Sequence, residues 1–273
     1  MGKNYFSKEA QECARYIIEA SSIVVLSGAG LSTSAGIPDF RGPQGIYRRL
    51  GISNPEKIFD IEFFQQNPSF FYNFHREFLG ELVKISPTYT HFFLAALERK
   101  GKILGIITQN IDSLHQKAGS QKVYEMHGGI HHTYCTSCNK HYGFSEAMGK
   151  TMTEDVPRCS QCGGVLKPDI VFFGEGVKHL SLSEELARES DLFFVLGSSL
   201  TVTPAAFLPG ISSGKVIVVN QGPFSTSYLS PRKTTLHVDS DLDSFFREVN
   251  RELHTAGFPV HPEESASPGS ENS

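Results

Sequence analysis

Residues 23–36 read IVVLSGAGLSTSAG, four apolar residues running straight into a turn of glycines and small polar side chains. A short run with no polar face reads as a strand buried on both sides. Five similar runs follow: Ile103–Ile107, Val123–Met126, Leu192–Leu196, Val216–Val219 and Leu236–Val238. Helical patterns lie between and before them. Ser183–Ser190 is one; residues 7–20 are another, with Ser7 as N-cap and Ala10, Cys13, Ala14, Ile17 and Ile18 on one face. Short buried strands alternating with helices predict a doubly wound α/β fold around a parallel sheet. In that class ligands sit beyond the carboxyl ends of the strands.

Those ends carry the informative residues. Ser27-Gly28-Ala29-Gly30-Leu31-Ser32 closes the first run and is expected to open a helix, its glycines letting backbone approach a pyrophosphate. The third glycine of the dinucleotide pattern is missing, since Thr33 stands there, and no clear acidic residue ends the second run. Alone this is a half-motif that a plain strand-to-helix turn explains equally well. Its surroundings change the balance. Ile37-Pro38-Asp39-Phe40-Arg41 follows, Thr108-Gln109-Asn110-Ile111-Asp112 ends the second run, and His127-Gly128 ends the third. Gly197-Ser198-Ser199 and Asn220-Gln221 end two more. Packing explains any one of these; five together on one predicted sheet edge mark a site.

The chain has 273 residues, a net charge of −4 and five cysteines. The length suits one large domain with an inserted lobe. The absence of basic excess disfavours direct nucleic-acid binding. No run approaches the roughly 20 apolar residues of a membrane span, and the start, MGKNYFSKEAQECARYI, lacks the apolar centre of a signal peptide. A cytoplasmic protein, monomeric and not tied to a membrane, is expected. The tail from residue 255 to 273, rich in Pro, Ser, Glu and Gly, reads as disordered.

Four cysteines form two knuckles, Cys135-x2-Cys138 and Cys159-x2-Cys162, twenty residues apart. Two knuckles complete a tetrahedral thiolate shell for one zinc ion and leave no open position, so the ion is structural. Cys13 reads as a core residue. Residues 42–90 interrupt the alternation with Phe59, Phe63, Phe64, Phe70, Phe71, Tyr72, Phe74 and Phe78 at helical spacings, predicting a helical lobe.

At this point the chain resembles the sirtuins, NAD-dependent protein-lysine deacylases. The resembling stretches are GAGLSTSAGIPDFRG (28–42), TQNIDSLHQKAG (108–119), EMHGG (125–129), the four cysteines, KPDIVFFGE (167–175), GSSLTVTP (197–204) and VN (219–220), in family order over about residues 7–250. The resemblance implies a Rossmann-like core (about 7–41, 91–130 and 169–253), a helical module (about 42–90) and a zinc-ribbon module (about 131–168). NAD and an acylated lysine of a protein substrate would meet in the cleft between them.

It also implies residue roles. Gly28, Ala29, Gly30, Ser32 and Thr33 would line the cofactor loop. Asp39, Phe40 and Arg41 would cover the cofactor, with Phe40 shielding the reacting sugar carbon from water. Gln109 would contact ribose; Asn110, Ile111 and Asp112, with Ile37, would hold the nicotinamide amide. Gly197, Ser198 and Ser199 would bind phosphate or ribose, and Asn220, Gln221 and Ser240 the adenosine end. His127 would be the general base, its neutral ring available at physiological pH. The implied products are nicotinamide, O-acyl-ADP-ribose and free lysine. His91, His115, His131 and His132 are expected to cap, pack or face solvent.

Val171-Phe172-Phe173-Gly174-Glu175 would be an extended edge pairing with the substrate backbone. A family branch that removes acidic acyl groups uses Tyr and Arg three positions apart; here Tyr72 and His75 stand there. A neutral imidazole holds a carboxylate less well than a guanidinium, which predicts a preference for acetyl or another neutral acyl group. Desuccinylation, long-chain deacylation and mono-ADP-ribosyl transfer at the same site remain the alternatives. A non-enzymatic zinc-ribbon module leaves His127, Asn110 and Asp112 without a purpose, and the missing glycine and ribose carboxylate argue against a dehydrogenase.

Overall fold

The computed structural model describes residues 7–37, 55–229 and 234–262. The six apolar runs all form strands. In chain order these are β1 (Ile23–Ser27), β2 (Ile103–Thr108), β3 (Val123–Glu125), then β7 (Leu192–Leu196), β8 (Lys215–Val219) and β9 (Thr234–Val238). They make one parallel sheet in the order β3-β2-β1-β7-β8-β9. The intervening β4 (Gly128–Cys135), β5 (His141–Gly143) and β6 (Leu166–Ile170) form a separate antiparallel sheet in the order β5-β4-β6.

The all-apolar strands follow from covering the large sheet on both faces. Val25, Ile106 and Phe194 pack with Cys13, Ile17, Phe93 and Phe246 on one face, beneath the helices Ser7–Glu19, Tyr89–Arg99 and Leu242–Thr255. Their neighbours Val24, Ile107 and Phe193 pack with Leu186 and Leu208 on the other, beneath Leu180–Glu189 and Leu208–Ile211. Successive side chains point to opposite faces, so both must be apolar. Cys13 is fully buried there, and burial pushes its thiol pKa up.

Register brings the carboxyl ends level. Ser27 stands opposite Thr108 and Leu196, Thr108 opposite Glu125, Leu196 opposite Val219, and Val219 opposite Val238. The next residues extend the ladder by one rung: Gly28 N–H donates to Leu196 O, Gln109 N–H to Ser27 O, Gly197 N–H to Val219 O and Asn220 N–H to Val238 O. The strand-end loops therefore leave the sheet side by side.

The aromatic stretch is helical where described. Asp60 caps Ile61–Gln66 by accepting from Phe63 N–H at 2.8 Å, and Pro68 opens the helix Pro68–Leu82. Their Phe64, Phe71, Phe74 and Phe78 form one core with Ile130, Ile170 and Phe172 from the chain around the small sheet. The aromatic lobe and the zinc module are thus fastened to each other.

Two expectations are corrected. The turn after β1 opens no α-helix; it forms two short 3-10 turns, Ala29–Leu31 and Thr33–Ala35, the second ended by Gly36 at φ +89. The expected tail is ordered in its first part: the chain reverses at Gly257 (φ +77), Phe258 N–H donates to Leu253 O, and Val260 is fully buried in the main core. Apolar Phe258 and Val260 inside a polar segment supply the burial that composition averaged away. Residues 263–273, and Asp39, Phe40 and Arg41 of the expected cofactor cover, lie outside the described residues.

Candidate active site and metal centre

A cavity of about 800 Å³ opens over the carboxyl edge of the large sheet. Most of the residues singled out from sequence line it. Gly28, Ala29, Gly30, Ser32, Thr33 and Ile37 come from the β1 loop, and Gln109, Asn110, Ile111 and Asp112 from the β2 loop. His127 follows β3, Gly197, Ser198 and Ser199 follow β7, and Asn220, Gln221 and Ser240 follow β8 and β9. Val171–Glu175 forms the wall toward the helical lobe.

The glycines are needed first by each other. A Cβ on Gly30 would meet Gly197 Cα at 2.8 Å, and one on Gly28 would meet Gly197 O at 2.8 Å. Gly197 has φ +62, and its own Cβ would lie 2.3 Å from Leu31 N. Two loops cross backbone to backbone, tied by Gly30 N–H to Gly197 O at 2.8 Å. Only glycine permits that approach.

On the β2 side, Asn110 Nδ2 donates to Gly28 O and to Ser32 Oγ, both at 3.1 Å. Ser32 Oγ donates to Asp112 Oδ2 at 2.7 Å, and Leu114 N–H donates to Asp112 Oδ1 at 2.9 Å. Burial lifts the Asp112 pKa above the usual carboxylate range, while those two donors oppose the shift. Gln109 Nε2 donates to Ser198 Oγ at 3.0 Å, linking the β2 and β7 loops.

His127 Nδ1 lies 3.0 Å from Gln109 O. A carbonyl only accepts, so Nδ1 carries the hydrogen and Nε2 keeps its lone pair. Burial lowers the His127 pKa, and the Gln109 carbonyl partly offsets that. The ring is therefore neutral at pH 7, with one defined basic nitrogen. Gly128 at φ +69 turns the chain sharply behind it, where a Cβ would strike Asp169 O. Val171 N–H donates to His127 O at 2.8 Å, joining the base to the opposite wall.

Val171–Glu175 is not the extended edge that was expected. Glu175 N–H donates to Phe172 O across a turn with Gly174 at φ +95. Phe173 spends both its backbone groups on the helical lobe, with N–H to Phe59 O and O to Ile61 N–H. Glu175 Oε2 accepts from Phe172 N–H at 2.7 Å and from Lys167 Nζ at 2.9 Å. Tyr72 and His75 are also corrected: both are buried, and neither lines the cavity. The Tyr72 hydroxyl donates to Leu166 O at 2.5 Å, and His75 stacks on Phe71. The resemblance placed them in the acyl site by position alone, without saying which neighbour their side chains meet.

Sequence reasoning missed Phe59, Phe78 and Ile170 on the apolar wall, Thr201, Val202 and Thr203 on the outer wall, and Leu242 near the β9 end; Asp241, weighed with Ser240 as an adenine contact, also lines the cavity. The outer three sit inside a motif already noted, which was a usable signal; the apolar three needed the packing of two modules.

The four clustered cysteine sulfurs lie within 4.8 Å of one another. Cys135 and Cys162 sulfurs are 3.4 Å apart, and Cys138 and Cys159 sulfurs 3.7 Å. A tetrahedron with zinc–sulfur bonds of about 2.3 Å has edges of about 3.8 Å, so the set fits one zinc ion. Tyr142 OH donates to Cys159 Sγ at 3.0 Å and brings that thiol's pKa down to about 6. None of the four lines the cavity. Among the described residues no helix is long and apolar enough to cross a membrane.

The Sir2 family model matches residues 28–204. An NAD-dependent protein deacetylase of Thermotoga maritima is 44% identical over 241 residues, covering 86% of this chain and 94% of the relative. An NAD-dependent protein deacylase 2 of Archaeoglobus fulgidus is 40% identical over 249 residues, 89% and 97% of the two chains. Among solved structures, a Sir2 with a deacetylated p53 peptide and 3'-O-acetyl ADP-ribose superposes with a TM-score of 0.81 at 40% identity, covering 92% of this chain and 99% of that one. Sir2Tm bound to a propionylated peptide gives a TM-score of 0.78 at 38% identity, with 92% and 99% covered.

Proposed function

Because this chain belongs to the Sir2 family, we propose that its cleft removes acetyl and other neutral acyl groups from protein lysines at the expense of NAD. The observation that carries the reading is His127, a neutral imidazole with Nδ1–H fixed on Gln109 O and Nε2 left basic at the cavity. Bound NAD supplies a sugar carbon that is open to attack as nicotinamide leaves.

The chain's own residues do the rest. Asn110 and Asp112 take the nicotinamide amide, its NH2 facing the buried Asp112 carboxylate. Ser198, Asn220 and Ser240 bind along the dinucleotide; Asn220 Nδ2 already donates to Gly222 O at 3.1 Å, leaving Oδ1 to accept from a sugar hydroxyl. His127 Nε2 removes a proton from a ribose hydroxyl so that its oxygen reaches the acyl carbon, and returns the proton to the departing lysine. One zinc ion, held by Cys135, Cys138, Cys159 and Cys162, fixes the small module that frames the cleft.

The acyl group faces Phe59, Phe78, Ile111, Ile170 and Phe172. Among the described residues no Lys or Arg lines the cavity, so a succinyl carboxylate would enter unpaired. That supports the neutral preference; Tyr72 and His75, buried away from the cavity, take no part in it. The turn 172–175 leaves few backbone groups for a substrate strand, so Thr201–Thr203 opposite supplies the other side of the peptide site.

Mass spectrometry of the products from NAD and an acetyl-lysine peptide tests the reaction; O-acetyl-ADP-ribose is expected. Transfer of ADP-ribose to protein without it would favour the transferase alternative. A higher kcat/KM on succinyl than on acetyl peptide would overturn the acyl preference. His127→Ala should abolish turnover and leave NAD binding intact. The working form is a cytoplasmic monomer, tested by light scattering and cell fractionation.

A further inference from the structure

A buried row of polar side chains runs beneath the cavity, and the reaction as described leaves two of them unused. His91, at the start of the helix Tyr89–Arg99, is fully buried, and His115, on the turn after the β2 loop, is 1% exposed. Their rings stand 4.8 Å apart, edge to face. Each has a buried nitrogen without a partner, Nε2 of His91 and Nδ1 of His115.

The neighbours settle where the hydrogens are. Thr88 N–H points at His91 Nδ1 at 3.2 Å. A backbone N–H can only donate, so Nδ1 is the acceptor and the hydrogen of the neutral ring is on Nε2. Ser27 Oγ donates its one hydrogen to Thr108 Oγ1 at 2.9 Å. His115 Nε2, 2.9 Å from Ser27 Oγ, must then donate to it, and Nδ1 keeps a lone pair. The two orphaned atoms are therefore a donor and an acceptor on rings in contact. Buried polar groups are paired almost without exception, and these two are complementary.

We propose that His91, His115, Ser27 and Thr108 form one directional hydrogen-bond chain, closed by His91 Nε2–H donating to His115 Nδ1, and that His115 is a positioning residue for the β2 loop. The far end of the chain reaches the chemistry. Thr108 Oγ1 accepts from Asn110 N–H at 3.1 Å, and Gln109 N–H donates to Ser27 O at 3.0 Å. Gln109 in turn fixes the His127 tautomer, and Asn110 faces the nicotinamide pocket. Burial lowers the pKa of both histidines, which keeps the chain neutral. The mechanical part of the proposal rests on the deacylase reading; the tautomers do not.

The test has two arms on the full-length, zinc-loaded protein. Nitrogen-15 NMR of labelled histidines at neutral pH, assigned with His91→Phe and His115→Phe, should show both rings neutral with the hydrogen on Nε2. It should also show a through-bond coupling across the N–H···N contact. A hydrogen on Nδ1 of either ring, or a charged ring, overturns the chain. In the second arm, His115→Phe should lower kcat/KM for NAD about tenfold, the effect of one buried hydrogen bond, with the KM for acetyl peptide unchanged. His115→Gln, which keeps a donor toward Ser27, should recover most of that loss. Unchanged NAD kinetics in folded His115→Phe, or a His115→Gln no better than Phe, would remove the positioning role. The expected tautomers in a protein that forms no O-acetyl-ADP-ribose would instead refute the deacylase reading and leave the chain standing.

Discussion

Replacing His75 by leucine should make the protein less sensitive to acid. His75 is 4% exposed, its Nδ1 has no partner, and it lies on Phe71 with ring centroids 4.8 Å apart. Burial, helped by the neighbouring Arg76, lowers its pKa to about 3. An unfolded chain restores it to about 6.5. Between those values the unfolded state binds the proton and the folded state does not, so stability is lost as pH falls. At pH 7 the loss is only about 0.2 kcal/mol; at pH 5 it reaches about 2 kcal/mol for this one ring. His91, His115 and the zinc thiolates also weaken the protein in acid, but they are common to both proteins and cancel in the difference. The assay is urea unfolding of parent and His75→Leu at pH 7 and pH 5, in buffer containing zinc. Near pH 7 the two should be within about 1 kcal/mol, because leucine fills the apolar site and loses only the ring stacking. Between pH 7 and pH 5 the variant should lose about 2 kcal/mol less than the parent. An equal loss in both would mean that His75 protonates inside the fold, and the dry lobe interior would be wrong.

Gly30→Ala should push the β1 and β7 loops apart, since its Cβ would lie 2.8 Å from Gly197 Cα; a lower Tm and an NAD KM raised at least about tenfold are expected, both measurable on purified variant. Lys167→Met leaves Glu175 without its buried cation, which should cost about 3 kcal/mol in denaturant unfolding and raise the peptide KM. Adding Glu175→Gln to it should return part of both, because the unpaired charge is then gone. Removing zinc with a chelator should unfold the small module and abolish activity together; metal analysis of active protein should give one zinc per chain, and active zinc-free protein would contradict the assignment.

The core of the fold was legible because its strands have no polar face. A sheet covered on both sides leaves all-apolar runs, and Val24 beside Val25 shows why, each facing a different helix layer. The zinc shell was legible because both knuckles are local in sequence. The antiparallel strands β4 and β6 were not foreseen, since their polar residues hide the pattern and their pairing joins residues roughly thirty to forty positions apart. The cavity wall toward the helical lobe was read least well. Tyr72 sits at the right helical position, yet its hydroxyl is taken by Leu166 O, a partner from the other module. Spacing along one helix reports a face, and only packing between modules says what that face meets.

The missing third glycine has a physical explanation that also bears on how the cofactor is held. In a dinucleotide fold of the ordinary kind that glycine lets an α-helix pack on the sheet, and the helix N-terminus then faces the pyrophosphate. Here the described residues after β1, up to Ile37, form 3-10 turns and not an α-helix. Thr33 occupies the position, and its hydroxyl donates to Gly30 O at 2.9 Å, closing one 3-10 turn onto the next. Two turns this short carry no aligned dipole of the usual size. On the proposed reading the dinucleotide would be held by discrete donors such as the hydroxyls of Ser198 and Ser199, while Ser32 spends its hydroxyl hydrogen on Asp112. Such a loop is held by its contacts, Gly30 on Gly197 and Ser32 between Asn110 and Asp112, more than by its own secondary structure. Cofactor affinity should therefore depend on residues in three different loops at once, which is why a single glycine fingerprint describes this site poorly and the joint pattern of strand ends describes it well.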